Sequence, residues 1–320
     1  MFNNSSILIT GGTGSFGNQF IKTVLERYNP KKVIVYSRDE LKQYEMQQSS
    51  TFNKYNQPHH DENLIRYFIG DVRDFSRLKL AMAKVDIVVH AAACDKDKSL
   101  ATAVNQTQAE HITKWVSSNQ MVLFPVTNSG YGIGQDEKHC DETTPLNPIS
   151  HYGRTKVAAE KALLDTGNAV AFRLATVFGT APRMRMDLLV NDFVYRAFAD
   201  RFIVLFESHF KRNYIHIRDI ASVFLHSIKH YDAMKGEAFN VGLSDANLSK
   251  MGLCEKIKEY LPDFHIFKSA IAKDPDKRDY IVSNEKIERS GWAPEYTVDD
   301  GIKELIKVYS FLKVSPHNNL

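Results

Sequence analysis

Cysteine is scarce in this chain. Its 320 residues hold three, Cys94, Cys140 and Cys254, scattered and without any Cys-x-x-Cys or Cys/His ligand spacing. That pattern supports neither a disulfide framework nor a zinc site, and it fits a reducing, cytoplasmic setting. No apolar run reaches the length of a bilayer span, so no membrane partner is expected. The start of the chain reads as a strand rather than as a basic-then-apolar signal sequence. Excess charge of one sign is also missing. Lys and Arg number 41 against 38 Asp and Glu, a net charge of +3, which offers no footprint for nucleic acid. There is no internal repeat and no low-complexity stretch. What is present is an ordinary globular composition, 43% hydrophobic and 25% charged, with ample material for a core. The length exceeds that of one typical domain and predicts an appended lobe.

Strand-like and helix-like segments alternate through the first half. Ser6 to Thr10 is a short apolar run ending in glycines, and apolar Phe20, Ile21, Val24 and Leu25 follow at helical spacing until Asn29-Pro30. Further strands are predicted at Lys32–Tyr36, Leu64–Ile69, Val85–His90, Met121–Val126 and Ala169–Leu174. A polar, weakly helical stretch with an irregular insertion around Gln47–Glu62 follows the second strand, and Asp74 can cap a helix running through Met82. Such alternation implies a parallel sheet covered by helices on both faces. Beyond Gly179 the rhythm loosens. Helical stretches at Asp187–Ala199 and Asp219–His230 mix with short strands at Ile203–Leu205 and Ala238–Val241, and the residues from Ser315 read as a frayed tail. The expected division is residues 1–179 for the sheet domain and 180–320 mainly for a second lobe, with room for the chain to recross.

Gly11-Gly12-Thr13-Gly14-Ser15-Phe16-Gly17 lies between the first strand and the first helix, where a dinucleotide pyrophosphate binds in such folds. Gly11 permits a tight turn, Gly14 lets backbone approach phosphate, and Gly17 lets helix and strand pack closely. The helix N-terminus offers free N–H groups and partial positive charge to the anion. At the end of the second strand, readers of NAD usually carry an acidic residue; this chain has Tyr36-Ser37-Arg38-Asp39. Ser37 can donate to a 2′-phosphate and Arg38 can grip it with its guanidinium fork, with Lys42 in support. NADP is therefore favoured over NAD, although Asp39 keeps a ribose contact open. Asp71 and Val72 after the third strand and Ala91, Ala92 and Ala93 after the fourth are expected to line the adenine and ribose pocket.

Tyr152 and Lys156 stand four apart ahead of an alanine-rich helical run, a spacing that puts both on one helix face. A lysine ammonium and an oxidised nicotinamide each lower the pKa of a phenol, so Tyr152 can serve as a base near neutral pH while Lys156 also holds the nicotinamide ribose. A hydroxyl to orient the reacting oxygen should come from the end of the fifth strand, where Thr127 and Ser129 both qualify chemically.

With these motifs the chain resembles the extended short-chain dehydrogenase/reductases of the nucleotide-sugar epimerase/dehydratase superfamily over nearly its whole length. Residues Ile9–Gly17, Tyr36–Gln43 and Arg66–Asp74 are similar to UDP-N-acetylglucosamine 4,6-dehydratases, which use NADP. Arg173–Gly179, Arg212–Asp219, Phe239–Gly242 and Lys277–Ser283 look instead like the epimerase and GDP-sugar-modifying branches. The resemblance implies a doubly wound parallel Rossmann sheet with a smaller C-terminal substrate-binding lobe, a nucleotide-diphosphate sugar as substrate, and a homodimer or larger homo-oligomer. It puts the orienting hydroxyl on Thr127. It nominates Arg212 and Arg278 for the substrate's pyrophosphate, Asn191 in the same pocket and Thr176 beside the sugar; Arg183 and Arg185 are further cationic candidates. The two positions after Thr127, where many 4,6-dehydratases carry acid and base, hold Asn128 and Ser129. Neither exchanges protons usefully near pH 7. Epimerisation through a transient 4-keto sugar is therefore the first reading. A 4,6-dehydratase, a 4-dehydrogenase or keto-reductase, and a non-catalytic NADP-binding regulator are the alternatives. A second departure is the short segment between His90 and Asn105, whose charged run Asp95-Lys96-Asp97-Lys98 reads as a solvated loop.

Overall fold

The computed structural model describes residues 3–55, 64–95, 97–134, 138–269 and 276–312. Part of the insertion (residues 56–62), Lys96 and the tail from Ser315 lie outside these residues. The strands are β1 (Ser6–Thr10), β2 (Lys32–Ser37), β3 (Ile65–Ile69), β4 (Ile87–His90), β5 (Met121–Pro125), β6 (Ala169–Leu174), β7 (Thr176–Phe178), β8 (Phe202–Leu205), β9 (Lys211–His216), β10 (Ala238–Val241), β11 (Asn247–Ser249) and β12 (His265–Lys268). The helices are α1 (Ser15–Arg27), α2 (Glu40–Gln48), α3 (Phe75–Met82), α4 (Lys98–Ala101), α5 (Gln108–Trp115), α6 (His151–Leu164), α7 (Leu189–Ala199), α8 (Ile217–Lys229), α9 (Tyr231–Met234), α10 (Lys250–Tyr260), α11 (Glu285–Arg289) and α12 (Val298–Phe311).

Seven strands form the central sheet in the order β10-β6-β5-β4-β1-β2-β3. The pairs β1–β2, β2–β3, β1–β4, β4–β5 and β5–β6 are all parallel. Strands β1 and β4 are buried along their whole length, as expected for a sheet covered on both faces. The order reverses between β1 and β4, and in open α/β sheets ligands bind outside the carboxyl ends of the strands at such a switch point. Asp74 caps α3 by accepting from the Arg77 N–H, and Asp39 caps α2 in the same way through the Lys42 N–H. Asp39 is thus a capping residue, which accounts for its place just past the strand. Asp97, expected in a solvated loop, also caps a helix, accepting from the Leu100 N–H at the start of α4.

The chain divides into two compact units whose segments interleave. The first unit gathers residues 1–126, 151–172 and 221–238; the second gathers 127–150, 173–220 and 239–320. No single cut near residue 179 separates them, and the stretch from Thr127 to Ser150 contributes to the second unit. Strand β10, read from sequence as part of the later lobe, is an edge strand of the central sheet. Helix α8 completes the core of the first unit. Its Phe224 lies 4.7 Å from Phe16, 6.1 Å from Phe20 and 4.4 Å from Phe172, ring centre to ring centre. In the second unit β11, β9 and β7 form a three-stranded sheet and β12 and β8 a parallel pair.

Candidate functional site

The glycine turn follows β1 directly. Gly11 has φ +67°, the left-handed region that glycine enters without strain, and a Cβ there would stand 3.0 Å from the backbone of Ala92. The Gly11 N–H donates to the Tyr36 carbonyl on the neighbouring strand, and the Gly14 N–H closes the turn on the Gly11 carbonyl. At Gly17 a Cβ would lie 2.4 Å from the Gly12 carbonyl oxygen, so the close helix–strand packing needs glycine. At Gly14 the nearest atom to such a Cβ is the Gly11 oxygen at 3.3 Å, leaving that flank of the turn open to a ligand. Gly14 caps α1 without any side-chain hydrogen bond. Asn18 fixes the turn from inside the helix, its amide donating to the Thr13 and Gly14 carbonyls at 3.0 Å each. Asn18 was not singled out from sequence, because a lone amide one turn into a helix has no spacing that marks it. A turn of this shape at a helix N-terminus, with no Cβ at Gly14 in the way, fits a dinucleotide pyrophosphate.

At the end of β2 the Ser37 hydroxyl is 3.0 Å from that of Thr13, tying the second strand to the turn. Arg38 is 60% exposed and 3.7 Å from Asp71, while Lys42 pairs with Asp39 at 2.8 Å. Asp71 is itself gripped by Arg73, whose side-chain hydrogen bonds hold its carboxyl below the usual range against the opposing effect of burial. Tyr36 donates to the Asp71 carbonyl and Val72 is buried in the core. Of the cations expected at a 2′-phosphate, Arg38 is therefore the more exposed and the more loosely held.

Tyr152 and Lys156 lie one turn apart on α6. Tyr152 is half-buried; Lys156 is 1% exposed, with its Nζ 3.9 Å from the centre of the Phe124 ring on β5. Burial pushes the Lys156 pKa down to about 7, partly opposed by the charge of Glu160 one turn further on. His90 at the end of β4 is stacked on the same Phe124 ring, 5.6 Å from its centre at an interplanar angle of 11°. Burial, with the Lys156 charge, pushes His90 down to about 3, so it is neutral. His90 Nδ1 is 2.9 Å from the Thr10 hydroxyl, which accepts from the Ala92 N–H at 3.1 Å. The Ala91–Ala92 stretch is thereby pinned against Gly11, while Ala93 is exposed.

Helix α4 runs into α5 through a π-helical segment, Thr102–Thr107, a rare wide turn that often marks functional sites. It delivers Asn105 to a buried position where its amide holds both backbone groups of Cys94 and donates to Thr155, whose hydroxyl in turn donates to the Tyr152 carbonyl. Neither His90 nor Asn105 was singled out from sequence, because hydrogen bonds across so many residues leave no local spacing to read.

In the second unit, Thr127 caps the short 3-10 turn Asn128–Tyr131, accepting from the Ser129 N–H, and its hydroxyl is 2.9 Å from that of Ser129. Asn128 is 1% exposed, and neither atom of its amide finds a hydrogen-bond partner among the described residues. Arg212 is 4% exposed and pairs with Asp276 at 3.2 Å, while Arg278 grips the same carboxylate through Nε at 2.7 Å and Nη2 at 2.6 Å. Two of the nominated phosphate ligands thus converge on one carboxylate, which no motif in the sequence marks. Asn191 is engaged differently. Its amide accepts from the Gly179 N–H and donates to the Arg185 carbonyl, pinning a turn of its own unit. Thr176 opens β7 opposite Tyr214 of β9, Arg185 pairs with Asp187, and Arg183 is half-buried.

The family described as polysaccharide biosynthesis protein matches residues 7–229. A UDP-N-acetylglucosamine 4,6-dehydratase (inverting) of Campylobacter jejuni is 43% identical over 171 residues, 52% of this chain and 45% of that protein. A UDP-glucose 4-epimerase of Rickettsia bellii is 35% identical over 170 residues, 50% of this chain and 43% of its own length. The chain thus spans about half the length of these curated relatives. Among solved structures, dTDP-glucose 4,6-dehydratase of Bacillus anthracis in complex with NAD superposes with a TM-score of 0.77 at 21% identity, over 97% of each chain. At that identity the likeness is one of fold, and the fold is that of the Rossmann-type short-chain dehydrogenase/reductases. Among the described residues no helix is long and apolar enough to cross a membrane.

Proposed function

The chain belongs to the polysaccharide biosynthesis protein family, and on that premise we propose that it is a nicotinamide-dependent enzyme that epimerises a nucleotide-linked sugar through a transient 4-keto form. One observation carries the reading. A nearly unexposed amine, Lys156, stands in the same unit as an open glycine turn at the sheet's switch point, one helical turn from a half-buried phenol. Gly11 to Gly17 hold the pyrophosphate, Ser37 and Arg38 the 2′-phosphate of NADP, and Lys156 the nicotinamide ribose. When bound, the dinucleotide supplies the acceptor and later the donor of a hydride. Tyr152 removes the proton from the sugar's C4 hydroxyl and returns it to the same oxygen at the end. Lys156 stabilises the phenolate by its charge, and Thr127 donates a hydrogen bond to the reacting oxygen. Arg212 and Arg278 bind the diphosphate, with Thr176 beside the sugar.

Inversion at C4 needs no second acid or base, which suits the Asn128 and Ser129 that follow Thr127. The 43% identity to a 4,6-dehydratase over half the chain favours the second reading, elimination across C5 and C6. Product analysis in heavy water separates the two. Epimerisation yields a sugar of unchanged mass with no keto product, whereas dehydration yields a 4-keto-6-deoxy sugar carrying solvent deuterium at C5, the hydride taken from C4 having been returned to C6. Tyr152→Phe should lower turnover by a factor of about 10²–10⁴ while dinucleotide binding is kept, the contribution of a positioned base. Unchanged turnover in that variant would remove Tyr152 from the mechanism.

A further inference from the structure

The Arg212, Asp276 and Arg278 cluster carries an inference that rests on the reading of both arginines as diphosphate ligands. Arg212 is 4% exposed, and a guanidinium so far from water requires a counter-ion. In this structure Asp276 supplies it. Its carboxylate takes Arg278 side-on through two nitrogens and Arg212 through a third. Carboxylates and phosphates engage guanidinium forks with the same two-pronged geometry, so the oxygens of Asp276 sit where phosphate oxygens would be held. Asp276 itself is 37% exposed, which gives it a route to water if it is released.

Arg212 is anchored independently. One nitrogen of Arg212 donates to the Lys211 and Arg278 carbonyls, its guanidinium lies 5.6 Å from the Tyr280 ring, and Asp279 holds the Lys211 N–H. The Arg212 fork therefore has supports other than Asp276, while the Arg278 fork is held beside it by Asp276. With two guanidinium charges and one carboxylate, the cluster retains a net charge of +1. A diphosphate linked to a sugar brings two negative charges and can replace the single one already there.

We propose that Asp276 is a built-in competing anion: it occupies the forks of Arg212 and Arg278 in the empty protein and is displaced by the substrate's diphosphate. The residue then sets a threshold that a ligand must exceed, admitting diphosphates and rejecting weaker anions. Burial opposes ionisation of Asp276, but hydrogen bonds from Arg278 and the charges of both arginines outweigh it and keep the carboxyl well below its usual range. The competitor is accordingly charged at any pH at which the enzyme would work.

The test is calorimetric titration of the full chain with UDP and with inorganic pyrophosphate, comparing wild type, Asp276→Asn, Asp276→Ser, Arg278→Gln and Arg212→Gln. Circular dichroism verifies that each variant is folded, and the serine variant serves if the asparagine one is not. Loss of UDP affinity in the two arginine variants, together with roughly tenfold tighter UDP binding in the Asp276 variant, is the expected result. The gain should shrink in high salt, where the removed charge matters less. If the arginine variants weaken binding but the Asp276 variants bind UDP equally or less well than wild type, displacement is wrong and Asp276 orients the forks. If the arginine variants bind UDP as wild type does, the placement of the diphosphate fails, and this inference with it.

Discussion

Lys156 carries its charge in surroundings that disfavour it. Its pKa of about 7 against the ordinary 10.5 means that, between those values, the unfolded chain binds a proton that the folded one does not. Stability contributed through this group therefore rises with pH across that window, and the full penalty is present below pH 7. Replacing Lys156 with Met should raise the unfolding free energy of the ligand-free protein by roughly 2 kcal/mol at pH 6, with the gain narrowing towards pH 10. Turnover should be abolished in the same variant. Denaturant titrations at three pH values check this; a variant less stable than wild type at pH 6 would mean that the Phe124 ring compensates the ammonium fully. Tyr152 and Lys156 are nominated from sequence by their spacing together with their place downstream of the glycine turn. The sequence could not reveal the aromatic face beneath the amine, because Phe124 lies 32 positions earlier and meets Lys156 only through the sheet.

Among the elements, the glycine turn and α1 matched the sequence reading best, since every constraint there is local. Four glycines, the strand before them and the helix that the last of them enters fall within a few residues. The structure separates the roles of two of these glycines. Gly17→Ala puts a methyl group 2.4 Å from a backbone oxygen that cannot move aside, and should destabilise the protein by about 3 kcal/mol. Gly14→Ala meets nothing closer than 3.3 Å and should leave the melting temperature nearly unchanged while weakening dinucleotide affinity about tenfold or more. Thermal unfolding and dinucleotide titration of the pair check both halves; equal destabilisation by the two would erase the distinction. The π-helical turn before α5 was not legible. Its residues have no composition that sets them apart from an α-helix, and its register follows from Asn105 reaching Cys94 and Thr155. Strand β10 was read as a strand, but its place in the central sheet was not legible. Four apolar-rich residues read as a strand wherever they fall, and only pairing with β6 assigns it to the central sheet.

At the scale of the whole molecule, the choice of dinucleotide becomes a stability measurement. A ligand that binds the folded state alone stabilises it by about 2.7 kcal/mol at a hundredfold excess over Kd. NADP should therefore raise the melting temperature more than NAD at equal concentration, and Arg38→Gln should remove most of the difference by lowering the response to NADP. A larger shift with NAD in the wild type would reverse the assignment and leave Arg38 as a surface charge paired with Asp71. The alternation of strands and helices made the parallel sheet legible, because a covered sheet demands apolar strands. The division into units was less so, because it depends on where the chain returns and not on what any one segment is made of.

Those returns bear on how the molecule comes into being. The ring of Phe224, which leans on Phe16 beside the glycine turn and on Phe172 of β6, is supplied by a helix more than two hundred residues downstream of that turn. A nascent chain that has completed β6 still lacks this helix and the β10 edge, so Phe16 and Phe20 of α1 are without the Phe224 ring until translation has passed α8. The first unit is thus a late product of synthesis despite holding the earliest residues, and its vulnerable period is set by the ribosome's progress through the segments between.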